Sequence, residues 1–271
     1  MATESRGVQS IEVGGRILSA LASSGRPLML RDVAALAEVA PAQAHAYLVS
    51  FRKIGLVEQD AQSGLYRVGP FALQLGLARL RAVDALRLAG AAVPGFADEI
   101  NLMVTVTVWG SFGPTIVQVL EGTRQVHVNL RAGAVYSLTG TATGVVFGAF
   151  LPKATVQSHI DGVRGEDHTG RIGAEVDDAA FGQAIVEVRR RGYAVAKGSP
   201  IPGVNALSAP VFDHNGQLQL VVTVIGPAVS VDIAPESALA RRLLAFTGGL
   251  SRQLGYDVQT DGSPFLRDVK A

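Results

Sequence analysis

The stretch from Arg26 to Gly69 constrains the chain most: two short helical patterns and a hairpin follow one another, with turn chemistry at each joint. Val33, Leu36 and Ala37 recur at helical spacing, a pattern that buries one face of a short helix. Glu38-Val39-Ala40-Pro41 breaks it, and Pro41 suits the first turn of a second helix, where its missing N–H costs nothing. In that second helix Ala44, Leu48, Phe51 and Ile54 form the inward stripe, and Gly55 ends it. Residues 56–59 and 65–68 read as strands joined across the Asp60-Ala61-Gln62-Ser63-Gly64 turn. Helix, turn, helix and hairpin make a winged helix-turn-helix, whose second helix and wing meet a DNA groove and backbone.

The flanks extend this unit. Ile11, Ile17, Leu18 and Leu21 predict a first helix near residues 10–22, closed by Ser23-Ser24-Gly25. Phe71, Leu73, Leu75, Leu77 and Leu80 predict a helix that is apolar on more than one side and needs a partner to bury it. The helical pattern restarts at Asp84, with Pro94 and Gly95 inside it against one straight helix, and the domain boundary is expected near Ala82.

Beyond Asn101 the period changes from helical to alternating. Strands are expected over residues 103–109, 115–120 and 125–130. The hydroxyl-rich run Leu138-Thr139-Gly140-Thr141-Ala142-Thr143-Gly144 leads into a helix over 145–150, capped by Thr139 or Thr141 and closed by Pro152. Residues 159–172 read as loop and 177–191 as an amphipathic helix stopped by Gly192. A strand at 193–197, a Gly/Pro-rich loop at 198–204, a hairpin of 206–212 with 218–225, and a helix at 235–254 complete an α+β domain. The tail after Tyr256 is polar.

Composition narrows the functions. The 271 residues contain no cysteine, so disulfides, thiolate metal sites and cysteine nucleophiles are excluded. The net charge is +1, which gives no global nucleic-acid signal, although a local patch sets the field at a groove. The first fifteen residues hold no apolar signal core and no later stretch is long enough to span a bilayer, so a cytoplasmic protein is expected. The five histidines are scattered without metal-ligand spacing, and neither a phosphate-loop lysine nor a GxSxG elbow occurs. No catalytic residue, metal or cofactor is expected, and an enzyme is the least supported reading.

The chain resembles the IclR family of bacterial transcription regulators over nearly its full length. The resemblance rests on Ser10-Ile11-Glu12, Gly25-Arg26-Pro27-Leu28, Gly55-Leu56-Val57-Glu58-Gln59-Asp60 and Gly64-Leu65-Tyr66-Arg67-Val68-Gly69-Pro70 in the first part. In the second it rests on Thr141-Ala142-Thr143-Gly144, Arg191-Gly192-Tyr193 and Pro210-Val211-Phe212-Asp213. It implies a winged helix over 1–70, a linker helix over 71–82 used in dimerisation, and a GAF-like effector-binding domain over 83–256, with an antiparallel sheet flanked by helices. It also implies dimers or tetramers on a double-stranded DNA operator, and a small organic acid or aromatic effector.

Candidate DNA contacts are Ala42, Gln43, His45, Ala46 and Ser50 on the reading helix, Gln62, Ser63 and Gly64 at the wing tip, and Arg26 and Arg31 beside the preceding helix. Relatives tend to carry Arg after the His; Ala46 stands here and cannot make the guanine fork. A second reading follows, in which the head serves only dimerisation of a small-molecule binding module. Candidate effector contacts are Thr107 and Trp109 on one strand face, and Thr141, Ala142 and Thr143 at a helix start. Lys197 is the expected countercharge, with Asn205, Ala206 and Ser208 on the facing strand and Thr223 on its hairpin partner. His127 and Asn129 are weaker candidates.

Overall fold

A computed structural model describes residues 7–122, 130–163 and 171–256. The chain divides into two compact units, Met1–Ala82 and Val83–Ala271.

In the first unit α1 (Gln9–Ser23), α2 (Leu30–Leu36) and α3 (Pro41–Lys53) precede a hairpin of β1 (Val57–Gln59) and β2 (Tyr66–Val68). Ile17, Leu28, Val33, Leu48 and Val57 are fully enclosed and form its core. The α2–α3 joint has Glu38 in the left-handed region at φ 55°, which costs an L-residue about 1 kcal/mol. Leu28 and Tyr66 exchange backbone hydrogen bonds of 2.9 and 2.8 Å, so a bridge from the α1–α2 loop pins the wing to the bundle. The apolar stripes are wider than the surface actually buried: Ile11, Leu36 and Ile54 are exposed, so Ile54 is not part of the inward stripe. Helix α4 (Pro70–Ala82) follows, and none of its residues is buried. Leu73 is 65% and Leu75 51% exposed, which leaves the apolar surface of this helix uncovered among the described residues.

The second unit is a seven-stranded sheet in the order β6-β5-β4-β3-β9-β8-β7. Its long central strands are β3 (Met103–Gly110), β4 (Gly113–Leu120), β8 (Val204–Phe212) and β9 (Leu218–Pro227). The outer strands are short: β5 (Val135–Tyr136), β6 (Arg171–Ile172) and β7 (Ala194–Lys197). All pairs are antiparallel except β5 with β6, a refinement of the expected antiparallel sheet. Alternation along the strands sends Val104, Val106, Leu207, Val222 and Val224 to one face, under α5 (Ala85–Ile100) and α9 (Ala238–Gln253). Val221 and Ala194 go to the other, under α6 (Ala142–Phe150) and α8 (Asp178–Arg191).

One expectation fails here. Residues 159–172 are not simply loop: α7 (Lys153–Val163) occupies the first part and β6 the end. Pro152 precedes that helix rather than merely closing α6, because proline fits a helix start. Helix α5 runs continuously with Pro94 inside it. The strand expected at 125–130, with His127 and Asn129, lies outside the described residues apart from Leu130.

Candidate functional site

On α3 the buried residues are Ala44 and Leu48. Turning those inward leaves Ala42, Gln43, His45, Ala46 and Ser50 on the exposed side. Pro41 opens the helix without a side-chain cap, so the first N–H groups of α3 keep no partner inside it. Tyr47 is half-buried and leans on Phe51, with ring centroids 6.2 Å apart, so it belongs partly to the core. Ser50 is less free than its exposure implies, since its hydroxyl donates to the Ala46 carbonyl at 3.1 Å.

The wing is tied to this helix by side chains. Arg52 donates to Gln59 Oε1 at 2.8 Å, and Gln59 Nε2 donates to the Gly64 carbonyl at 3.0 Å. Asp60 accepts from the backbone N–H of Gln62 and Ser63 and from the Ser63 hydroxyl, at 2.7–3.0 Å. The Ser63 and Gln62 bonds hold the Asp60 carboxyl below its ordinary value of 3.8. Gln62 and Ser63 are thereby presented in one conformation at the tip. Arg26 is exposed, and Arg31 lies in the first turn of α2 rather than beside it, 3.4 Å from Asp32.

In the second unit a cavity lies on the sheet face covered by α6. Tyr136, Thr141, Thr143, Ala206, Thr223 and Ile201 represent its walls. Its volume is about 40 Å³, and it is partly open to the outside. Thr141 caps α6, accepting from the Gly144 N–H at 3.0 Å while donating to the Ser137 carbonyl at 2.8 Å. Gly144 has to be glycine: a Cβ there would stand 2.2 Å from the Ser137 carbonyl oxygen. Below the wall, register places Thr105 opposite Thr223 and Thr223 opposite Ser208. Thr143 of α6 completes a ring of three hydroxyls: 2.8 Å to Thr223, 3.3 Å to Ser208, and 2.9 Å between Ser208 and Thr223.

Three hydroxyls nearby, those of Thr105, Thr107 and Tyr136, are buried without a hydrogen-bond partner among the described residues. Burial pushes the Tyr136 phenol up to about 12, against a small lowering influence from Thr105. Tyr136 is a neutral donor at any physiological pH.

The structure brings Thr141, Ala142, Thr143 and Thr223 to this cavity, with Ser208 beneath its floor. Thr107 is enclosed and does not line it. Trp109 sits apart, against Phe147 and edge-on to His159 at 5.1 Å, beside a separate open hollow. Lys197 is exposed and lines another hollow, so it supplies no countercharge here. Asn205 is buried and structural: its Oδ1 accepts from the Gly198 N–H at 3.2 Å and its Nδ2 donates to the Val231 carbonyl at 3.1 Å. Sequence reasoning missed Tyr136 and the Ser199-Pro200-Ile201 rim, while Ala206, expected on the facing strand, does line the cavity. The alternation that put Ser208 and Thr223 on one face also points to Ala206, two residues away on the same strand. No pattern marks Tyr136.

Two family models cover most of the chain. One described as the IclR helix-turn-helix domain matches residues 10–61, and one described as the bacterial transcriptional regulator IclR C-terminal matches residues 78–252. The glycerol operon regulatory protein of Streptomyces griseus is 32% identical over 92% of this chain and 98% of its own length. The crystal structure of Pseudomonas aeruginosa HmgR is 37% identical with a TM-score of 0.81, covering 93% of this chain and all of that one. The Agobacterium tumefaciens repressor BlcR shares the fold at a TM-score of 0.75 and 21% identity, over 93% of this chain and all of its own.

Proposed function

This chain belongs to the IclR family of bacterial transcription regulators, and from that premise we propose how its two units divide the work. It is a ligand-responsive, DNA-binding regulator. In our reading α3 enters the major groove with Gln43 and His45 towards the base edges. Arg26, Arg31 and the wing-tip residues Gln62, Ser63 and Gly64 hold the phosphate backbone. What carries the reading is the orientation of α3, which buries Ala44 and Leu48 and turns Gln43, His45 and Ala46 to the outside.

Ala46 offers only a methyl group, suited to contact with thymine and unable to fork onto guanine. Base readout then falls on Gln43, whose amide matches adenine. Nothing in the wing or in α3 favours a head reserved for dimerisation, because the reading face is open and the wing tip is ordered by Asp60.

The cavity beside α6 is the effector site, and the exposed apolar surface of α4 is the seam by which two copies pair. An effector that prefers one arrangement of the paired chains changes operator affinity by that preference. The name of the Streptomyces relative connects it with a glycerol operon; the cavity of this chain is small and lined largely by apolar atoms, with threonines at one side.

The test is titration of the full-length protein against the DNA upstream of its own gene at several salt concentrations. Specific retardation with a steep salt dependence is expected. Gln43→Ala should weaken the specific site about ten-fold while leaving non-specific binding unchanged. Folded protein that retards no upstream fragment specifically would reject the reading.

A further inference from the structure

The wing is too short to hold its own posture. Strands β1 and β2 pair at three positions, Val57 with Val68, Glu58 with Arg67 and Gln59 with Tyr66, and a two-stranded hairpin on its own is marginal in water. Backbone bonds fix its root: the Gly69 N–H donates to the Leu56 carbonyl at 2.8 Å, and the Phe71 N–H to the Gly55 carbonyl at 3.0 Å. Gly69 packs so closely on the exit of α3 that a Cβ there would stand 2.4 Å from the Gly55 carbonyl oxygen. Leu28 braces the hairpin at Tyr66. At the tip, among the described residues, the backbone bonds join the turn to itself. The Asp60 N–H donates to the Leu65 carbonyl and the Gly64 N–H to the Asp60 carbonyl, both at 2.9 Å. They set the shape of the tip and leave its angle to α3 open.

The Gln59 side chain closes that gap. On one side Arg52, in the last turn of α3, donates to its Oε1 at 2.8 Å. On the other its Nε2 donates to the Gly64 carbonyl at 3.0 Å. A guanidinium only donates and a carbonyl only accepts, so the group between them must do both. The same chemistry fixes which way the amide points: turned over, it would set N–H against guanidinium and lone pairs against the carbonyl. Glutamate at this position would hold Arg52 and repel the Gly64 carbonyl. An apolar side chain of the same length would hold neither.

We propose that Gln59 is a positioning residue for DNA binding, which with Arg52 forms a strut that sets the angle of the wing against the reading helix. This rests on the reading of the first unit as the DNA-binding head. Arg52 acts through Gln59 and not as an independent phosphate contact. Without the strut the tip samples several angles, and its phosphate contacts must then bear the cost of ordering it.

A double-mutant cycle on the full-length protein tests this, with Arg52→Met, Gln59→Met and the two combined. The probes are the DNA upstream of its own gene and a random duplex of equal length, at about 0.2 M salt, where the long-range effect of one removed charge is screened. Gln59→Met should weaken binding to both duplexes about five-fold. The ratio between them should hold, because contacts to the phosphate chain carry no sequence information. The combined variant should lose no more than Gln59→Met alone. Hydrogen exchange without DNA reads the strut directly: the Asp60 and Gly64 N–H groups should exchange about five-fold faster in each variant, with the thermal midpoint unchanged.

Losses that multiply in the combined variant would mark Arg52 as a separate phosphate contact and overturn the proposal. Unchanged affinity in Gln59→Met, or unchanged exchange at the tip, overturns it equally. Failure of the regulator reading would show in the unsubstituted protein, as equal affinity for the upstream and random duplexes, and the cycle on the random duplex would still decide the strut.

Discussion

At the scale of single residues, several side chains that look like ligand contacts hold the fold instead. Asn205 is the clearest: buried, it joins Gly198 to Val231 and so ties the rim of the cavity to the β9–α9 connection. Asn205→Ala strands the buried Val231 carbonyl, whereas the Gly198 N–H keeps its bond to the Val204 carbonyl, and the change is expected to cost about 1–2 kcal/mol in denaturant unfolding. Asp60 acts locally on the wing. Its folded carboxyl titrates below its unfolded value, so its contribution is full above about pH 4 and disappears as pH falls through the folded value. Asp60→Ala should leave global stability nearly unchanged, and hydrogen exchange at Gln62 and Ser63 should rise in the variant at neutral pH. Glu38 carries the opposite sign: Glu38→Gly should raise the thermal midpoint of the first unit, since glycine takes a φ of 55° without the side-chain penalty.

At the scale of elements, legibility followed length and capping. The helix at 177–191 shows in sequence by its apolar stripe, and the structure gives Asp177 as the cap and Gly192 in the left-handed region at φ 82°. The hairpin across Asp213-His214-Asn215-Gly216 is equally readable, because turn residues separate two alternating runs. Strands β5 and β6 are two residues each, too short for any period to register. Helix α7 was hidden by the double meaning of proline, which both stops one helix and opens the next. The candidate site splits the same way. Thr141 to Thr143 were legible as a hydroxyl-rich helix start. Tyr136 and Ile201 reach the cavity from segments that only the folded sheet brings together.

Helix α4 shows what the sequence does convey: its excess of leucine demanded a partner, and among the described residues none of its side chains is buried. Leu73→Glu combined with Leu77→Glu should weaken self-association at least about a hundred-fold by analytical ultracentrifugation. Its helical content should stay, because glutamate is a good helix former.

For the whole molecule, the two units have separate cores and a shared thermodynamic account. If an effector weakens operator affinity by some factor, operator DNA must weaken effector affinity by that same factor. Calorimetric titration of an effector into free and DNA-bound protein checks this, and unequal factors would show that the two binding events are not linked as supposed. The seven-stranded sheet adds a constraint on how copies meet. Among the described residues its margins are stubs, two residues long in β6 and four in β7. Margins that short give a neighbouring chain little backbone to zip onto. Crowded solutions of this protein should consequently resist fibrous clumping, and any quaternary structure it builds must be cemented by interlocking side chains on helices, not by lengthening the sheet.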